Sequence, residues 1–208
     1  MNAPSDDLKS ITAPTLAHYD ENAVEYAERT SDHDVGQNIM TLLRYIDGDA
    51  PFTLLDFGCG PGRDLRTLAA TGHTVVGLDG SSAFVTMAHD ATGCTVLHQD
   101  FLALDLPDAD FDGIFANASM QHIPSRELPR VLKQLHAALK PRGVLLASIP
   151  HGHDEEGWNG ARYSAFHEPA TWQRYLADAG FVEIEHYFRP AGLPCEDQRW
   201  LASAWRKA

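Results

Sequence analysis

Asp56, Gly58, Gly60 and Gly62 alternate strictly at the end of an apolar run, Leu54-Leu55-Asp56-Phe57-Gly58-Cys59-Gly60-Pro61-Gly62-Arg63-Asp64. Three glycines without Cβ atoms let a ligand lie directly on backbone, with Cys59 and Arg63 carried in the same turn. A carboxylate at a strand end stands at the edge where open α/β sheets bind ligands. The chemistry this suits is recognition of a flat, polar molecule. A dinucleotide fits poorly. The G-x-G-x-x-G spacing fails in both registers, because the third glycine falls on Arg63 or on Leu65, which disfavours a nicotinamide oxidoreductase. A second acid, Asp79, follows Asp56 by 23 residues and closes another apolar run, a position suited to accepting hydrogen bonds from ribose hydroxyls. Gly80 and Ser81 follow it, and Ser81 or Ser82 can cap the next helix.

These residues need a sheet to hold them. From residue 53 onward strands and helices alternate: strands at 53–57, 74–80, 94–98, 111–116 and 144–149, with helices at 63–71, 82–91, 126–139 and 169–179. Strands at 181–188 and 200–205 close the chain. Such alternation predicts an α/β fold, a seven-stranded, mostly parallel, doubly wound sheet with helices on both faces. Residues 1–13 read as a flexible arm and 14–208 as one domain, with helices over 14–48 ahead of a core over 53–208. Pro14 reads as a helix start, and Pro141-Arg142-Gly143 as a turn before the fifth strand.

The acid followed by alternating glycines resembles the first motif of class I S-adenosylmethionine (SAM) methyltransferases, and the likeness in element order covers roughly residues 14–206. That resemblance implies a Rossmann-like fold, SAM as cofactor with S-adenosylhomocysteine as product, and an N-terminal helical lid. It implies that the glycine turn packs on the methionine and ribose part of SAM, with Asp56 beside the amino end. Asp79 then serves the ribose and Asp100 the adenine amino group, with Phe101 walling the ring. Tyr19 and Tyr26, in a Y-D-x-x-A-x-x-Y-like segment, belong to the lid, although they can equally staple a helix to the sheet. Asn117-Ala118-Ser119-Met120-Gln121-His122 faces the methyl group; it lacks the N/D-P-P-Y/F motif of base and glutamine methylators and looks more like the small-metabolite branch. Asn117 and His122 are the catalytic candidates, His122 either as general base or simply packed against adenine.

Two further groups are candidates for the acceptor. Trp158, Asn159, Arg162 and Tyr163 share one expected loop, where Arg162 can hold a carboxylate and the aromatics can stack on a ring or cation. His33, Gln37 and Asn38 cluster at the start of the second helix, beside Asp34. His151-Gly152-His153 has no tetrahedral ligand pattern after it, so no metal is expected.

The charge balance, 16 basic against 29 acidic residues and a formal net charge of −13, disfavours a nucleic-acid substrate. No apolar run approaches a membrane span and no signal segment opens the chain, so a cytoplasmic protein is expected, with Cys59, Cys94 and Cys195 as reduced thiols. The reading is a methyltransferase for a small polar metabolite, leaning to a nitrogen of an amino-acid-like or imidazole acceptor, working as monomer or homodimer. A catalytically silent SAM-binding partner is the alternative.

Overall fold

The computed structural model describes residues 6–193 and 198–208. One seven-stranded sheet organises it. Its strands are β1 (Thr53–Phe57), β2 (Thr74–Asp79), β3 (Thr95–His98), β4 (Phe111–Asn117), β5 (Leu139–Pro150), β8 (Phe181–Arg189) and β9 (Trp200–Lys207), in the order β3-β2-β1-β4-β5-β9-β8. The first five are parallel, and β9 runs antiparallel to both β5 and β8. The order reverses between β1 and β4, which opens a crevice at their carboxyl ends, the position at which such sheets bind ligands. No described helix is long and apolar enough to cross a membrane.

Alternation along β1 divides the core. Leu55 and Phe57 join the cluster beneath α6 (Leu128–Ala138) and α7 (Pro169–Asp178). Leu54 joins the cluster beneath α3 (Gly36–Tyr45) and α4 (Arg63–Ala70), which also takes in Ala88 of α5 (Ser82–Thr92). Asp56 shares Leu54's face, so a carboxylate is buried on the α4 side of the sheet.

Several expectations are corrected. The arm expected over 1–13 is helical from Asp6: α1 spans Asp6–Glu21, with Pro14 inside it rather than at its start. Leu8 is buried in the core and Asp7 pairs with Arg126, and these tertiary contacts outweigh a weakly periodic local sequence. Among the described residues, α1 and the short α2 (Ala23–Thr30) cover the crevice; α3, expected in the lid, is a core helix whose Ile39 and Leu42, with Ile46 just after it, cluster with Leu54 and Leu146. The expected turn at Pro141–Gly143 is absorbed into β5, which starts at Leu139 and accommodates a register shift against β4 and a positive φ at Arg142. The expected loop carrying Trp158 and Tyr163 is a hairpin, β6 (Glu155–Asn159) and β7 (Arg162–Phe166), turning at Gly160-Ala161. Gly160, at φ +63° in the first position of the two-residue loop, is a hairpin signal that the composition of the segment obscured. Cys195 lies outside the described residues.

Candidate active site

The glycine turn is held by the strand beside it. Gly58 and Cys59 donate their N–H groups to the Leu78 carbonyl at 2.8 and 3.0 Å, and Gly60 N–H reaches Asp79 Oδ2 at 2.9 Å. Asp79 Oδ1 accepts from Ser81 N–H at 2.9 Å, while the Ser81 hydroxyl oxygen caps α5 by accepting from Phe84 N–H. Gly58 has φ +80°, and a Cβ there would stand 2.3 Å from Ser119 Cβ, so a side chain would fill the floor of the crevice. Gly62, at φ +92°, begins α4 so close to α5 that a Cβ would lie 2.8 Å from Ala88 Cα. The turn is therefore both a backbone surface for a ligand and a close packing joint.

Two adjoining spaces open above it. The first is lined by Gly58, Gly60, Asp79, Gly80, Asp100 and Phe101 below, and by Tyr19, Tyr26 and His122 on the side of α1 and α2. Phe101 stacks on Phe57 with ring centroids 4.3 Å apart, so one aromatic both extends the core and walls the cavity. The second space, a wider cleft, is lined by Cys59, Arg63, Asp64, Asn117, His33 and Asp34, with Ser148, Arg189 and Trp200 on its far side. Tyr26, Gly58, Gly60 and Ala118 line both. Ala118 has φ +58°, a turn directly after β4 that a non-glycine residue rarely makes; no sequence signal marks it.

Buried charge is concentrated under the turn. Asp56, Asp64 and Asp79 are all buried, and Asp56 Oδ2 has no hydrogen-bond partner. Burial, reinforced by the charges of Asp64 and Asp79, holds the Asp56 carboxyl well above the usual carboxylate range. Burial also lifts Asp79 to about 6, against the opposing pull of its backbone N–H donors. The Cys59 thiol is pushed up by burial and by the same acids, so it is an inert filler of the turn. Arg63 clasps Asp64 with two bonds, at 2.6 and 2.9 Å, and donates a third to the Thr30 carbonyl at 2.7 Å, tying α4 to the end of α2.

Asn117 is fixed at both ends of its amide. Its Nδ2 donates to Asp64 Oδ2 at 3.1 Å, and its Oδ1 accepts from Asn38 Nδ2 at 3.0 Å. Asn38, expected at the acceptor, is instead buried behind Asn117, where its Oδ1 accepts from the Tyr187 hydroxyl. On the lid side, Arg162 donates to the Tyr19 hydroxyl at 3.3 Å and lies over its ring. Tyr19 Oη lies 2.9 Å from His122 Nε2, and His122 Nδ1 lies 2.7 Å from the Tyr163 carbonyl. A carbonyl only accepts, so Nδ1 carries the proton and Nε2 takes the tyrosine's. Burial, partly offset by that carbonyl, lowers His122 to about 4. Trp158, Asn159 and Gln37 are exposed and line neither space; Tyr163 enters through its backbone. Sequence reasoning missed Asp20, which reaches from α1 to accept from the Ser81 hydroxyl at 2.6 Å and Ala83 N–H at 3.0 Å, and it missed Arg189.

Residues 54–143 match a family model described as a methyltransferase domain. Among curated proteins, the trans-aconitate 2-methyltransferase of Azoarcus sp. (strain BH72) is 34% identical over 142 residues, covering 66% of this chain and 53% of that protein. The chain thus spans about half the length of the curated relatives it matches. Among solved structures, Burkholderia thailandensis 1,6-didemethyltoxoflavin-N1-methyltransferase, with bound 1,6-didemethyltoxoflavin and S-adenosylhomocysteine, has a TM-score of 0.81 at 20% identity, covering all of this chain (100%) and 93% of that one. The [4+2]-cyclase SpnF has a TM-score of 0.74 at 16% identity, covering 92% and 94%. At these identities the structural likeness is one of fold.

Proposed function

We propose that this chain, whose residues 54–143 belong to the methyltransferase domain family, is a class I methyltransferase that uses SAM to methylate a small polar molecule. The observation that carries the reading is the first cavity. It joins a glycine turn, two acids at consecutive strand ends and an aromatic wall, above a buried carboxylate with an unpartnered oxygen. The donor set fits SAM: Asp79 for the ribose hydroxyls, Asp100 for the adenine amino group, Phe101 for the ring, and Asp56 toward the cationic amino end. When bound, SAM supplies a methyl group already activated on a sulfonium.

The work left to the protein is orientation and exclusion of water. Tyr19 and Tyr26 roof the cavity; Ala118 lines both spaces and Asn117 the second, so an acceptor held in the second can meet a methyl group at Ala118. His122 is neutral at pH 7 and its one acceptor lone pair is occupied by Tyr19, so its role in this reading is to orient Tyr19 rather than to remove a proton. With no free strong base, the acceptor atom must itself hold an available lone pair near neutrality. An imidazole nitrogen or a thiolate meets that requirement, and the imidazole is among the acceptors the sequence favours. The exposed large apolar side chains Val24, Met40, Trp158, Val182 and Leu193 are scattered over different elements, which favours an enzyme over a silent docking partner.

Calorimetric titration with SAM and S-adenosylhomocysteine tests the reading. Micromolar binding is expected, weakened about 10- to 100-fold in Asp79→Asn, a change that retains an oxygen for Gly60 N–H. Wild-type protein that binds neither ligand overturns it.

A further inference from the structure

The second cleft contains an arginine that no acid neutralises among the described residues. Of its two arginines, Arg63 is committed to Asp64 and Thr30. Arg189, the last residue of β8, donates from Nη2 to the backbone carbonyl of Asp34 at 2.7 Å, and no ion pair holds it among the described residues. That is unexpected in a chain with 29 acidic residues against 16 basic. Asp34 is the residue Arg189 touches, yet the two charged ends do not pair. Asp34 Oδ1 instead accepts from Gly36 N–H at 2.8 Å. One cation and one anion therefore face the same cleft, each steadied by backbone and each with hydrogen-bonding capacity unused.

We infer that this cleft seats the methyl acceptor and reads it as an amino-acid-like zwitterion. Its carboxylate lies in the Arg189 fork, its ammonium on Asp34 and its side chain against Trp200, directed toward Ala118, which both spaces share. The inference rests on the methyltransferase reading and names the substrate class of that site. The role expected of Arg162 passes to Arg189, because Arg162 is turned onto Tyr19. A phosphate dianion or a polycarboxylate fits less well, since its second negative charge would face Asp34 and Asp64 with Arg63 already engaged. One guanidinium matches one carboxylate.

The test uses protein saturated with S-adenosylhomocysteine, titrated with the standard free amino acids and with the amide and N-acetyl derivative of any that binds. Transfer from labelled SAM is then followed for the same compounds. At least one free amino acid is expected to bind and be methylated, with the amide and the N-acetyl form each weaker by about 30- to 100-fold. Arg189→Gln should reproduce the loss for the carboxylate, Arg189→Lys should recover part of it, and Asp34→Asn should reproduce the loss for the ammonium. Affinity for S-adenosylhomocysteine should stay within about twofold in all three, which also reports folding. If a variant loses that affinity, the derivatives on wild-type protein decide alone. Failure of the wild type to bind S-adenosylhomocysteine removes the methyltransferase reading itself. Retained cofactor binding with no amino acid bound, or with amide and acid equivalent, overturns the zwitterion seat.

Discussion

Asp56 is held where water cannot reach it and its Oδ2 has no partner, so the free protein keeps a poorly compensated carboxyl under its binding site. A raised carboxyl retains its proton when folded at pH values where the unfolded chain has lost it, so it costs stability as pH rises through that range. Asp56→Asn removes the cost. Its melting temperature should exceed wild type by about 2–4 °C at pH 8, corresponding to roughly 1 kcal/mol, with the gap narrowing on acidification and closing only below about pH 4, the unfolded carboxyl's range. The same variant should bind SAM more weakly, so stability and affinity move in opposite directions; scanning calorimetry with and without SAM reads both. At Gly58 the constraint is steric. Gly58→Ala places a Cβ against Ser119 in a left-handed backbone and should lose roughly 2–4 kcal/mol in urea denaturation, together with cofactor binding.

Among the elements, α1 and α2 cover the crevice, and the β6–β7 hairpin helps to fasten them. Thr15 Oγ1 accepts from Tyr163 N–H at 3.0 Å, Arg162 reaches Tyr19, and the Tyr163 carbonyl accepts a hydrogen bond from His122 Nδ1–H. Three short segments are joined through two adjacent residues of β7. Thr15→Val should leave the sheet's amide protection intact while hydrogen exchange accelerates across α1, and should raise the Michaelis constant for SAM several-fold. Unchanged exchange in α1 would show that its other contacts, Asp20 with Ser81 and Arg162 with Tyr19 among them, hold it without Thr15. The contrast is α3. Because Leu42 is fully buried on the sheet, Leu42→Ala should cost about 2–5 kcal/mol of global stability by denaturant titration, as expected of a core helix and not of a mobile cover.

In the whole molecule two buried groups act in opposite directions over one pH window. His122, lowered to about 4, is neutral when folded, so stability falls as pH drops from its ordinary value near 6.5 toward 4. Asp79, raised to about 6, does the reverse, its contribution being lost as pH rises from about 4 to 6. The two partly cancel. Asp79→Asn should therefore steepen the loss of stability on acidification from pH 6.5 to 4, and adding His122→Gln should flatten it again. Denaturant midpoints measured across that range check both signs.

The sheet, the glycine turn and the acids at 79 and 100 were legible because each rests on local pattern: apolar runs, alternating glycines and spacing between strand ends. Those are short-range properties, and the seven strands, the Ser81 cap and the cavity floor followed from them. What only the tertiary structure decided depends on contacts between residues far apart in the chain. Leu8 and Arg126 draw the first turns of α1 into a helix, and Asn38 is buried behind Asn117 across 79 residues. The hairpin directs Arg162 onto the lid and leaves Trp158 exposed. Arg189 and Asp34 meet across 155 residues without pairing, an arrangement no local pattern encodes, because the hydrogen bond joining them is to a backbone carbonyl. Spacing along the chain fixes which backbone surfaces exist, and packing fixes which charges are left to face a ligand.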